Sequence, residues 1–145
     1  MGMFGAIDSA ASGLTAERLR MDVISNNIAN VNTTRTAEGG VYKRQMVVFG
    51  SRSANAPSFS QILSEKLDAG SGVRVLGITK DNSPTRKIYD PTHPDANADG
   101  YVEMPNVNVV SEMVDMISAT RGYEANVTVI NAAKSMALKA LEIGK

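Results

Sequence analysis

The residues best placed to do chemistry lie in one stretch, DPTHPDANADG, from Asp90 to Gly100. Within it Asp95, Asn97, Asp99 and Gly100 follow the first half of a calcium-binding EF-hand loop, D-x-N-x-D-G, and Glu103 falls at the ninth position. In such a loop alternating oxygen donors surround a hard cation and the glycine makes the sharp turn. The twelfth position must supply a bidentate carboxylate, but here it is Asn106, and Pro91, Pro94 and Pro105 deny the loop its flanking helices. A polar connector held by side-chain-to-backbone turns is the expectation. His93, the only histidine, stands two residues before Asp95 and could be drawn as half of an acid–base pair or as a metal ligand, yet no second imidazole and no cysteine joins it. The sequence has no G-x-S-x-G elbow, no HExxH, no Walker loop and no G-x-G-x-x-G after a strand. No catalytic residue, cofactor site or metal site is therefore assigned, and an enzyme is not expected.

A second stretch, SNNIANVNT from Ser25 to Thr33, crowds four asparagines into nine residues at the end of an amphipathic pattern. Asparagine side chains compete for nearby backbone groups, so these must either end a helix or bond to something outside it.

The elements that would position them follow from periodicity. Ile7, Leu14, Met21 and Ile28 recur every seven residues, with Ala10, Ala11, Ile24 and Val31 on neighbouring positions, which predicts one helix from about Phe4 to about Ile28. Gly5 and Gly13 are its weak points, each costing roughly 1 kcal/mol relative to Ala. Near the other end Met113, Met116, Thr120, Tyr123, Val127, Ile130, Lys134, Ala137 and Leu141 alternate spacings of three and four, a coiled-coil ladder interrupted only by Thr120 and Lys134. Pro105 precedes this helix, Asn108 or Ser111 can cap its start, and Gly144 follows its end. Between the two helices, Val41 to Phe49 and Val73 to Ile78 are rich in β-branched and aromatic residues and read as strands. Phe59 to Leu67 fits either a short helix or an extended segment. The fold class is α+β, with a discontinuous helical part, 1–34 plus 106–145, and a β-rich middle insertion, 35–105.

Composition narrows the function classes. The 145 residues carry no formal net charge and no cysteine. Neither nucleic acid nor an anionic membrane is thus an expected partner, and disulfides, thiolate nucleophiles and cysteine metal sites are excluded. The bases Arg18, Arg20, Arg35, Lys43 and Arg44 are scattered among acids and read as a solvated face. The N-terminal MGMFGAIDSAASGLTAERL lacks the basic and apolar blocks of a Sec signal, and no run approaches the roughly 18 apolar residues that span a bilayer, so no direct membrane insertion is expected. Gly2 does not make a myristoylation signal, because Ala6 stands where Ser or Thr is needed. Asn126-Val127-Thr128 matches a glycosylation sequon by chance, since Val127 lies on the helical ladder. A pair of helices with little else to lean on is marginal alone, which favours termini that order fully only against other subunits.

SNNIANVNTT, and especially ANVNT from Ala29 to Thr33, resembles the signature of the bacterial flagellar rod and hook axial proteins. The block YDPTHPDANADGYVEMPNVNVVSEMVDMISATRGYEANV, from Tyr89 to Val127, with the closing ALEIGK, is similar to the proximal rod members of that family. The resemblance implies that the N- and C-terminal helices form an antiparallel coiled-coil pair in the inner layer of a hollow helical tube, with the insertion packed outside. It implies a non-enzymatic structural subunit of the proximal rod, polymerising into the shaft that transmits torque and conducts exported subunits across the periplasm. Its partners would be copies of itself, the rod proteins FlgB, FlgF and FlgG, the rod/MS-ring junction protein FliE and the flagellar type III export apparatus, through which it would pass without a cleaved signal. Asn26, Asn27, Ala29, Asn30, Asn32 and Thr33 would be the motif residues of assembly. The N-terminal seam would be Ile7, Leu14, Met21 and Ile28, and the C-terminal seam Met113, Met116, Tyr123, Val127, Ile130, Ala137 and Leu141.

Overall fold

The computed structural model describes residues 3–37, 39–52 and 72–143. Among these residues two long helices, α1 (Met3–Ala29) and α2 (Val109–Ile143), enclose in sequence four strands: β1 (Gln45–Ser51), β2 (Val73–Lys80), β3 (Arg86–Tyr89) and β4 (Tyr101–Met104). The class is α+β, as expected. The segment Phe59 to Leu67 lies outside the described residues.

The ends of the helices have identifiable causes. The last α-type bond of α1 runs from Asn30 N to Asn26 O (3.1 Å), after which Val31 N bonds Ile28 O and Thr33 N bonds Asn30 O in tighter turns. The Asn30 side chain adds a second bond to the Asn26 carbonyl (2.9 Å), and its own oxygen accepts from Thr33 Oγ1 (3.1 Å), so this amide is bonded locally to the closing turn. At the start of α2, Asn108 Oδ1 accepts from Val110 N (3.0 Å) and Ser111 N (3.4 Å) and is the N-cap.

β1 and β2 form one two-stranded sheet, antiparallel by the bonds Arg52 N to Gly72 O and Asp81 N to Arg44 O at its two ends. β1 begins later than the apolar run suggested, because Tyr42 N bonds Thr33 O and Arg44 N is taken by Asn106 Oδ1 instead of a neighbouring strand. β3 and β4 make a second antiparallel pair in the register Arg86–Met104, Lys87–Glu103, Ile88–Val102 and Tyr89–Tyr101. These four-residue strands were not legible in RKIY and YVEM, where charges and single apolar residues give no extended β pattern.

The chain divides into two compact units. One comprises residues 1–19, 49–76 and 119–145. Among its described residues the buried side chains are small: Ala10, Ala16, Ala119 and Ala133. Gly13, a weak point in a helix read alone, sits where α1 meets α2, and a Cβ there would lie 2.8 Å from the Asn126 amide nitrogen. Gly122 likewise faces the Glu17 carboxyl group. Small residues let the backbones approach, and packing offsets their helix-propensity cost. Gly72, at φ +88°, lies against α1, where an added Cβ would collide with Ser12 Oγ; that hydroxyl accepts from Val73 N at 3.0 Å.

The other unit comprises residues 20–48 and 77–118. Val23, Ile24, Val102, Pro105 and Val107 are its buried apolar residues, and two polar side chains, Asn27 and Glu112, are buried with them.

Candidate functional site

The last turn of α1, the approach to β1 and the first turns of α2 converge on Asn27, which is 1% exposed. Its amide nitrogen donates to Gln45 O (2.8 Å) and Glu112 Oε2 (3.0 Å). Its oxygen accepts from Gln45 N (2.9 Å) and Tyr42 Oη (2.9 Å). A carboxamide has two donors and one oxygen with two lone pairs, so all of its capacity is used. Asn27 thereby treats Gln45 as a strand neighbour would, and holds the start of β1 on the end of α1.

Glu112, fully buried, would be costly unpaired. Besides Asn27 it receives Arg44 Nε at 2.5 Å, and Arg44 Nη2 reaches Asp115 Oδ2 at 3.2 Å. Arg20 Nη2 stands 3.5 Å from the other Asp115 oxygen. Two cations and two carboxylates thus close a neutral group in which a guanidinium spans two acids one turn apart on α2. Arg44 and Arg20 belong to this network and not to the solvated face expected of them. Asn106 extends it: its oxygen accepts from Arg44 N (2.8 Å), and its nitrogen donates to Asp81 O (3.2 Å) and Ser83 O (3.3 Å). Burial, and then the negative charge of Glu112, push the Tyr42 hydroxyl above its ordinary value, with Lys80 opposing. The phenol therefore stays a donor at neutral pH.

This arrangement can hold but not transform. Every named donor faces an acceptor, and no nucleophile stands beside a base. Among the described residues no group of three or more His, Asp or Glu side chains is placed to hold a metal ion.

The DPTHPDANADG stretch is the loop of the β3–β4 hairpin. Asn97 Oδ1 accepts from Asp99 N (3.1 Å) and Tyr101 N (2.8 Å), Asp95 Oδ2 accepts from Thr34 Oγ1 (2.8 Å), and His93 Nδ1 accepts from Asp95 N (3.1 Å). Three groups that a cation would claim are thus committed to turns and to a threonine. Asp90 is held below the usual carboxylate range by the Thr92 hydroxyl and backbone N–H, and Asp81 by those of Ser83.

Of the motif residues, Asn27 is buried, Asn30 and Thr33 are half-buried and bonded to each other, and Asn26, Ala29 and Asn32 are exposed. Along α1, Ile7, Leu14, Met21 and Ile28 are half-buried, while Ala10, Ala16, Val23, Ile24 and Asn27 are buried. On α2, Met116, Tyr123, Val127, Ile130 and Ala137 are half-buried, and Met113 and Leu141 are exposed at 55% and 70%. The buried row is Glu112, Ala119 and Ala133, with Asn126 on the same line. It runs one residue ahead of Met113, Thr120, Val127 and Lys134, because Asn27 and Arg44 draw Glu112 inward and alanines permit the closest approach. Tyr42, Gln45, Glu112 and Asp115 were not singled out from sequence, while Asn106 entered only as the twelfth position of a cation loop and Arg44 only as a base of the solvated face. The available signal was the pair of interruptions, Thr120 and Lys134, which become Ala119 and Ala133 when the ladder shifts by one, although the shift also brings in the polar Glu112 and Asn126.

Two family models match the chain, that for "Flagella basal body rod protein" over residues 7–35 and that for "Flagellar basal body rod FlgEFG protein C-terminal" over residues 98–143. The chain is 56% identical to the flagellar basal-body rod protein FlgC of Borreliella burgdorferi over 99% of its own length and 98% of the relative's. It is 51% identical to that of Bacillus subtilis and 39% identical to that of Escherichia coli O6:H1, covering all of both chains in each comparison.

Proposed function

The chain belongs to the FlgC family and is a non-enzymatic structural subunit of the flagellar basal-body rod, and from that premise we propose how its parts serve the shaft. Residues 1–34 and 106–145 act as the shaft-building part, α1 and α2 pairing as an antiparallel coiled coil, and 35–105 form the outer insertion. The supporting observation is the order of contacts. In one unit Gly13 faces Asn126 and Glu17 faces Gly122; in the other, Arg20 meets Asp115 and Asn27 meets Glu112. Positions rise along α1 as they fall along α2.

In this reading the subunit sits in the proximal rod, in the periplasm, beside FlgB, FlgF, FlgG and FliE. It arrives unfolded through the type III export apparatus and polymerises into the hollow, torque-bearing tube. Asn27 fixes the subunit's own shape, while the exposed amides of Asn26 and Asn32 bond to neighbouring backbone, giving register without the desolvation cost of buried ions. Changing Asn26 and Asn32 together to Ala is expected to leave the melting of the purified protein unchanged and to abolish swarming; normal motility would remove the role. Electron microscopy of basal bodies labelled on the insertion tests the location, which fails if the label lies away from the segment next to the MS ring.

A further inference from the structure

The unit formed by residues 20–48 and 77–118 carries an open groove of about 630 Å³ beside the start of α2. Its apolar walls include Val31, Pro84, Val109 and Val110, and Val110 is 71% exposed. Arg86 and Asp81 add one charge of each sign. Arg86 has no ion-pair partner among the described residues, whereas the other arginine of the groove, Arg44, is committed to Glu112 and Asp115. An apolar trough with an unused cation on its rim fits an apolar side chain accompanied by a carboxylate.

The chain itself displays that pattern elsewhere. Phe4 is 80% exposed in the opening turn of α1, and Asp8, four residues on and therefore on the same helical face, has a side chain 69% exposed. Asp8 meets Arg52 at 3.4 Å, but that side chain is 54% exposed, so the pair is weak and exchangeable. The first N–H groups of any helix are also unsatisfied and partly positive. The Asp81 carboxylate in the groove suits them.

We infer that the groove receives the opening turn of the N-terminal helix of another rod-family subunit, an exposed apolar side chain entering between Val31, Pro84 and Val110 and an acid one turn later reaching Arg86. A knob on one part of a subunit and a socket on another make a heterologous contact, which builds a ring or an open helix and not an isologous dimer. The inference rests on the rod-subunit reading and adds to it one specific joint.

A photo-cross-linking residue placed at Val110 in the full-length chain, expressed in motile cells, tests it. After irradiation, basal bodies are purified and the cross-linked peptides identified by mass spectrometry. The expected product joins Val110 to the N-terminal tip of a rod-family subunit. Arg86→Glu, checked for unchanged melting, lowers its yield by about fivefold or more through like-charge contact, and Arg86→Lys retains it. Cross-links to any other segment, to a protein outside the rod family or to nothing, or a yield indifferent to Arg86→Glu, overturn the inference while leaving the subunit in the rod. A chain absent from purified basal bodies would overturn the rod reading as well.

Discussion

Replacing Asn27 by Ala removes one side chain and four hydrogen bonds at once. Three of these are between neutral groups, each worth about 1 kcal/mol net, and the one to the Glu112 carboxylate is worth about 1.5–3 kcal/mol. The partners do not regain water fully, since Glu112 is completely buried and keeps, among the described residues, the Arg44 guanidinium. Partial hydration near Tyr42 and Gln45 recovers some of the loss. The expected destabilisation is about 3–5 kcal/mol, a large share of the roughly 5–15 kcal/mol that holds a typical domain together. Asn30→Ala is the internal control. It removes two bonds at a more open site and should cost only about 0.5–1 kcal/mol. Urea unfolding followed by far-UV circular dichroism at neutral pH, with the slope unchanged, measures both. If Asn27→Ala costs less than about 1.5 kcal/mol, or no more than Asn30→Ala, the network is not what fixes β1 to the helices.

Three further outcomes are expected. Gly13→Ala should fail to deliver the roughly 1 kcal/mol helix-propensity gain, because the new methyl lies 2.8 Å from the Asn126 amide; adding Asn126→Ala should recover it in thermal melts. Gly100→Ala should destabilise the β3–β4 hairpin, since φ is +78° and the Cβ would come 2.9 Å from the Tyr89 ring, seen as faster amide exchange at Val102. Asp81 and Asp90, whose pKa values are lowered in the native state, contribute stability that is present above their unfolded value near 3.8 and lost as pH falls through the native values. Carboxyl NMR titrations should show both titrating below the ordinary aspartate range and moving back toward it in Ser83→Ala and Thr92→Val.

What could be read from the sequence divides by range. The extent of α1 was legible because its apolar residues repeat locally over many turns and its end is punctuated by asparagines. The cap of α2 was legible for the same reason: Asn108 bonds residues two and three positions away. The identity of the buried asparagine was not, since Tyr42, Gln45 and Glu112 lie 15, 18 and 85 residues from Asn27. The inward row of α2 escaped because a search for large apolar residues favours Met113 and Leu141 over Ala119, Ala133 and a buried glutamate. The DANADG loop was rightly expected to be a connector, but not that the strands on either side pair with each other; two short strands bearing Lys87 and Glu103 disclose themselves only when aligned.

The cluster around Glu112 holds Arg20 and Arg44 against Glu112 and Asp115, so its charges sum to nothing, and its centre is shut away from solvent. Dissolved ions act strongly on exposed charges and on surfaces of one sign, and only weakly on enclosed pairs. A swimmer moving from fresh to briny water would therefore meet little loosening at this fastening of its drive shaft, whatever happens to the ion pairs on the outside.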